Sequence, residues 1–153
     1  MRFAALVFSL FAFSAVADEA AKPVVKWTLL DQHEQAYTLS DDAQVLLIAR
    51  SMAAAKLLDA ALKDQPAGYL EARHVVYVAD IEKMPSLVKL VAVPAMRSAK
   101  YRIMLDQDGR VASRYDGDRE SVQWLVLNNG KVTREQRFTD AAILRQNVEK
   151  LVQ

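Results

Sequence analysis

The stretch Val45–Leu62, reading VLLIARSMAAAKLLDAAL, does most to restrict the folds open to this chain. Val45–Ala49 is an unbroken apolar run bounded by Gln44 and Arg50, the pattern of a strand buried on both faces. From Ser51 the period changes. Ala54, Ala55, Leu58, Ala61 and Leu62 recur at helical spacing, while Lys56, Asp59 and Lys63 take the other side. Ser51 is a natural N-cap, because its hydroxyl can accept from an orphan N–H of the first turn. Pro66 and Gly68 are expected to end the helix. A buried strand running straight into an amphipathic helix implies a right-handed crossover to a second strand of the same sheet.

The flanking segments complete that sheet. Val24–Leu30 reads as a strand, Asp31–Gln35 as a turn and Tyr37–Leu39 as a short return strand, giving an N-terminal hairpin. His74–Ala79 is a second buried-type strand. Ile81–Val93 is predicted to be a helical segment with Pro85 near its start and Pro94 as its breaker. Arg102–Leu105 is a strand, and Asp106–Gly109 a turn. Val122–Leu127 and Lys131–Phe138 flank Asn128-Asn129-Gly130, a hairpin signal because such turns need left-handed backbone angles. Thr139-Asp140 caps a last helix carrying Leu144, Val148 and Leu151. The order predicts an α/β domain with a mixed sheet flanked by helices.

The ends say where the chain goes. Met1-Arg2, the apolar run Phe3–Phe13 and Ala15-Val16-Ala17 form a secretory signal, with cleavage predicted between Ala17 and Asp18. That run falls short of the ~20 apolar residues that span a bilayer. Residues 18–23 are expected to be loose and residues 24–153 to form the folded domain. Removal of residues 1–17 takes away Arg2 and no acid, so the formal charge falls from +1 to zero. A balanced charge argues against nucleic acid as a partner, which needs a basic surface, and no later segment is fit for stable insertion into a membrane. The mature protein is expected to be soluble and periplasmic. Cys is 0, which removes thiol exchange, thiol peroxidase chemistry and thiolate metal sites.

Three segments carry a family resemblance. Trp27-Thr28-Leu29-Leu30-Asp31-Gln32 resembles the opening of redoxins, with Glu34 in place of their usual glycine. Tyr101–Val111 resembles the redoxin strand and turn before the substrate-side loop, and Trp124–Val132 the closing hairpin. The layout as a whole resembles the thioredoxin-like fold in its redoxin and peroxiredoxin-type form. Ile48–Lys56 and the ending from Glu120 to Leu151 are similar to the YtfJ-type family of exported redoxin-like proteins. Related members sometimes carry the name FAD/FMN-containing dehydrogenase. The chain has only Gly68, Gly109, Gly117 and Gly130, and no G-x-G-x-x-G, so a Rossmann flavin fingerprint is missing. Aligned by this resemblance, the two cysteine positions of a thioredoxin fall on Met52 and Ala55, and the cis-proline position on Ser121. Both halves of the redox apparatus are then replaced.

Among candidate sites, Arg50 and Ser51 stand at the strand-to-helix junction, where N–H groups and the helix dipole favour an anion or a partner carboxylate. The alternative has Ser51 simply capping the helix and Arg50 solvated or paired with an acid. Ser51 as a nucleophile would need a base, and His33 and His74 offer no such arrangement and no metal spacing. Met52, Met84 and Met96 suggest a thioether copper site, against the more ordinary reading of such methionines as core filler. Arg97–Arg102 is locally basic and reads as a solvated loop. No catalytic residue, cofactor or metal is assigned. The reading is a non-catalytic periplasmic module for a protein or small ligand. Flavin-linked oxidoreduction and a structural role in the envelope are its rivals.

Overall fold

The computed structural model describes residues 26–151. The expected signal segment 1–17, its expected cleavage point at Ala17 and Asp18, and residues 18–25, 152 and 153 lie outside the described residues. The chain runs β1 (Thr28–Asp31), β2 (Ala36–Thr38), β3 (Val45–Ala49), α1 (Met52–Leu62), α2 (Tyr69–Ala72), β4 (Val75–Asp80), α3 (Ser86–Met96), β5 (Met104–Asp106), β6 (Val122–Asn128), β7 (Lys131–Phe138) and α4 (Ala141–Glu149). All seven strands form one sheet in the order β2-β1-β5-β4-β3-β6-β7. β3, β4 and β5 are mutually parallel, with β4 central to the three. β1 joins β5, and β6 joins β3, in antiparallel pairing.

The pleat explains why β3 is apolar at every position. Val45, Leu47 and Ala49 face one core, which α1 closes with Ala54, Leu58 and Leu62 and α4 with Leu144 and Val148. Leu46 and Ile48 face the other, closed by Trp27, Leu39, Val111 and Leu125. Ser51 caps α1 by accepting from the Ala54 N–H, and Asp140 caps α4 by accepting from the Ile143 N–H. Asn129 and Gly130 both take positive φ in the β6–β7 turn.

Three local expectations change. α1 ends at Leu62, before Pro66, and Gly68 opens the extra turn α2 with a left-handed φ of 81°. α3 begins at Ser86, because Ile81–Met84 forms a turn in which Asp80 Oδ1 accepts from the Glu82 N–H. Pro94 does not break α3, which runs on to Met96. A proline costs the carbonyl four residues back its partner, and here that residue is Leu90, 71% exposed, on the helix's solvent side.

The basic segment after α3 is also less solvated than its composition predicts. Arg97 Nε donates to the Gln32 carbonyl, and Arg102 Nε donates to Asp31 Oδ2 at 2.6 Å. Burial pushes the Asp31 carboxyl up, but the Arg102 bond and the N–H groups of Gln35 and His33 outweigh it and hold it below its ordinary value.

Candidate functional site

A cavity of about 320 Å³ opens where the parallel strands end and α1 begins. Its floor is Ala49 and Ala79, the last apolar residues of β3 and β4. One wall is Met52 and Ala55 on α1, and the other is Met84, Pro85, Val88 and Met96 on or beside α3. Arg50, Asp80, Lys83 and Arg119 add charge, and Ser51 lines the cavity beside Arg50. The carboxyl edge of parallel strands is where open α/β sheets place their ligands, and a largely apolar lining with a few polar groups is the usual composition of such sites.

The outer wall is unusual. α3 has no buried residue; Leu87, Leu90 and Val91 are each at least 71% exposed, and Val88 is 43% exposed. Only Lys89, Ala92, Val93 and Met96, at helical spacing, turn partly inward. An apolar ridge therefore adjoins the cavity on its solvent side.

Arg50 and Ser51 sit together at the junction, but their side chains diverge. By the pleat, residue 50 follows Leu46 and Ile48 to the face opposite α1. Its guanidinium is buried under the loop after β5, where Nη2 donates to the carbonyls of Ala112 (3.0 Å) and Tyr115. It is therefore neither solvated nor joined to an acid in a salt bridge. Burial presses its pKa down while Asp80 and other nearby acids act against that. Nη1 has no protein partner and neither does the buried Oε1 of Gln123. Both lie against Gly117, where a Cβ would fall 2.0 Å from Nη1 and 2.8 Å from Oε1. Only a glycine lets the backbone pass this close. Ser51 Oγ accepts from Ala54 and donates to the Arg119 carbonyl, tying α1 to the loop before β6. With its proton held by a carbonyl and no base in contact, it lacks the activation a nucleophile needs.

That loop carries Ser121. Ser121 is 3% exposed, and both its N–H and its hydroxyl donate to Asp118 Oδ1 at 2.8 Å. A proline could make neither bond. No cis peptide occurs among the described residues. Asp118 Oδ2 in turn accepts from Arg137 Nη1 at 2.9 Å. The Ser121 bonds, with Arg137 and the Glu120 N–H, lower the Asp118 pKa to about 2. Arg119 reaches the cavity while Ser121 itself does not line it. So Met52, Ala55 and the Ser121 loop are brought to one place, with the side chain at 121 turned away. Sequence reasoning missed Gly117, Asp118 and Arg137. The Asp116-Gly117-Asp118 run signals a turn, but nothing local marks a partner on β7.

The remaining candidates separate. His33 lies in the β1–β2 turn, and His74, with φ 55°, pairs at 3.7 Å with Asp42. No group of three His, Cys, Asp or Glu residues suited to a metal occurs among the described residues. Asp106 is fully buried, its Oδ2 accepting from the N–H groups of Val111 and Ala112. Asp106 is the last residue of β5 and not part of the turn expected over Asp106–Gly109; its carboxylate holds the segment that follows. No described helix is long and apolar enough to cross a membrane.

No family model matches the chain, and no curated protein matches its sequence. Solved structures do. The exposed lipoprotein thioredoxin Etrx1 of Streptococcus pneumoniae superposes with a TM-score of 0.56 at 15% identity, covering 83% of this chain and 100% of its own. StoA of Bacillus subtilis gives 0.56 at 11%, covering 80% and 96%. A secreted Mycobacterium tuberculosis disulfide oxidoreductase homologous to Escherichia coli DsbE gives 0.52 at 12%, covering 82% and 96%. The fold is therefore thioredoxin-like, with a mixed seven-stranded sheet and four helices among the described residues. At these identities the likeness extends to the fold alone.

Proposed function

We propose that this chain is an exported, non-catalytic redoxin-like module that holds a protein segment or a small ligand in the cavity at the start of α1. The observation that carries this reading is the cavity itself. It lies between α1 and α3 at the ends of β3 and β4, it is mostly apolar, and it continues onto the exposed ridge of Leu87, Leu90 and Val91. Monomeric surfaces rarely leave such patches uncovered without an interaction to serve. Thiol chemistry has no reagent here, since the chain has no cysteine. Arg50 and Ser51 have the role of positioning residues in this proposal: they fix the loop carrying Arg119 against α1, and the occupant meets Met52, Ala55 and Val88.

Export is supported by the leader-like residues 1–17 and by solved neighbours described as an exposed lipoprotein and a secreted oxidoreductase. Membership of the YtfJ-type family is supported by Ile48–Lys56 and by the ending Glu120–Leu151. The test uses a photo-crosslinking residue at Val88 in the exporting cell. The expected result is one recurrent adduct that Ala55→Phe abolishes by filling the cavity, while a crosslinker at Thr133 on β7 gives none. Equal adducts from Val88 and Thr133, or adducts indifferent to Ala55→Phe, would sink the proposal.

A further inference from the structure

We infer that α3 is a membrane-docking helix, which lays its exposed apolar face on a bilayer surface rich in anionic phospholipid. The inference goes beyond the cavity reading and does not depend on it. α3 carries one charged residue, Lys89, which at 3.6 residues per turn falls with Ala92, Val93 and Met96 on the half-buried side. Leu90, Pro94, Leu87, Val91, Ala95 and Val88 follow one another around roughly 160° of the solvent side, with no charge among them. A helix at a water-facing surface ordinarily has the opposite polarity. The described residues expose eight large apolar side chains, and Leu87, Val88, Leu90 and Val91 are four of them. Leu30, Met52, Val132 and Ile143 are scattered over separate elements, and such single exposures need no partner. The face of α3 is continuous.

Charge decides what covers it. Lys83 stands before α3, Arg97 follows its last residue and Lys100 lies just beyond, all three exposed. Arg119 is exposed at the rim of the adjoining cavity. None of these cations, nor Lys89, has a carboxylate partner among the described residues, whose ion pairs engage other side chains. Arg97 uses only Nε, on the Gln32 carbonyl. The acids lining the hollows beside α3 are mostly engaged. Asp31 pairs with Arg102, Asp108 with Arg110, Asp59 accepts from the Tyr101 hydroxyl and Asp80 from the Glu82 N–H. Glu34 in the β1–β2 turn is the one left without a partner among the described residues.

Cations at both ends of α3 oppose the pairing of two copies through this face, because either direction of crossing sets cation against cation. An anionic lipid surface satisfies both features, its acyl region taking the apolar face and its phosphates the flanking cations. The balanced net charge does not oppose this, since screening at physiological salt acts over about 8 Å and the local cations count. Docking is shallow. Eleven residues make a helix about 16 Å long, too short to span a bilayer. The Leu90 carbonyl released by Pro94 also needs water, which the headgroup layer supplies and the hydrocarbon core does not. α3 therefore lies in the plane of the surface with the sheet behind it, a reversible attachment without insertion.

The test takes protein recovered after export, free of any tag, and floats it with vesicles. One set contains equal parts of phosphatidylglycerol and phosphatidylcholine, the other phosphatidylcholine alone. The expected result is partition onto the anionic vesicles that weakens as salt is raised and is about tenfold or more lower on phosphatidylcholine alone. Leu87→Ser, Leu90→Ser and Val91→Ser together should lower partition more than about tenfold, and Lys83→Gln with Lys100→Gln about 30-fold on the anionic vesicles only. Val132→Ser on β7, and Ala55→Phe in the cavity, should leave partition unchanged. The ridge and lysine side chains are exposed, so these variants are expected to fold, which circular dichroism checks. In the exporting cell, a photo-crosslinking residue at Leu90 should label lipid. No flotation with anionic vesicles, equal flotation of the triple Ser variant, equal partition onto the two lipid compositions, or a protein adduct from Leu90 in place of lipid would overturn the inference. If flotation fails while the Val88 adduct still depends on Ala55, the docking surface falls and the cavity reading stands.

Discussion

Replacing Gly117 with alanine tests the loop that braces the site. A Cβ at 117 would lie 2.0 Å from Arg50 Nη1 and 2.6 Å from its Cζ, well inside contact. The guanidinium has to move, and it is 7% exposed, so it has little room. Moving it strains or breaks the bonds that Nη2 makes to the carbonyls of Ala112 and Tyr115. Hydrogen bonds from a charged donor contribute about 1.5–3 kcal/mol each. With partial re-pairing after the shift, Gly117→Ala should cost about 3 kcal/mol. For a domain of this size that lowers Tm by roughly 9 °C. Arg50→Met removes the obstructing group and costs about 2 kcal/mol by itself, because two carbonyls lose their donor. In that background Gly117→Ala should cost only about 1 kcal/mol, set by the remaining approach to Gln123 Oε1 at 2.8 Å. The coupling of about 2 kcal/mol is read from urea unfolding of the four proteins. Equal costs for Gly117→Ala in both backgrounds, within about 0.5 kcal/mol, would refute the packing explanation.

Other outcomes follow from the same geometry. Asp118 has a folded pKa near 2, below its ordinary value, so its contribution is present above the unfolded carboxylate range and is lost as pH falls from about 4 towards 2. Asp118→Asn should therefore cost about 1 kcal/mol at pH 7, a value reduced by solvent screening, and the gap from wild type should close near pH 2 in acid unfolding curves. Leu58→Ala, at a fully buried position of α1, should cost about 3 kcal/mol, whereas Leu90→Ser on the exposed ridge should stay within about 0.5 kcal/mol in the same urea assay. Purified protein should lack flavin absorbance and gain no thermal stability from added FMN or FAD. A stoichiometric flavin would revive the oxidoreductase reading.

The sheet was readable because burial on both faces leaves a continuous apolar signature in β3 and β4, and because Asn129-Gly130 has a backbone requirement few residues meet. Ser51 and Asp140 were readable as caps for a local reason, since each bonds an N–H three residues on. α3 was less readable. Its length depends on whether Pro94 faces the core or solvent, and sequence does not give that. The direction of the Arg50 side chain depends on strand parity and on Gly117, sixty-seven positions away in the chain. That Met52, Met84 and Met96 all line one cavity is likewise a property of the crossover, not of any local pattern. Composition shows that the chain has no thiol, but the shape of the cavity at the start of α1 is tertiary.

The central claim of the proposed reading is that the cavity at the start of α1 is an occupied binding site. Methionine methyl NMR tests it directly, because Met52, Met84 and Met96 line the cavity and Met104 lies in the opposite core. Protein labelled at the methionine methyls is mixed with the contents of the periplasm, the compartment that the proposed reading assigns to it. The account predicts that the Met52, Met84 and Met96 signals move together, that Met104 stays fixed, and that Ala55→Phe suppresses the movement. Cavity methyls that remain still, or a shift at Met104 equal to theirs, would contradict it.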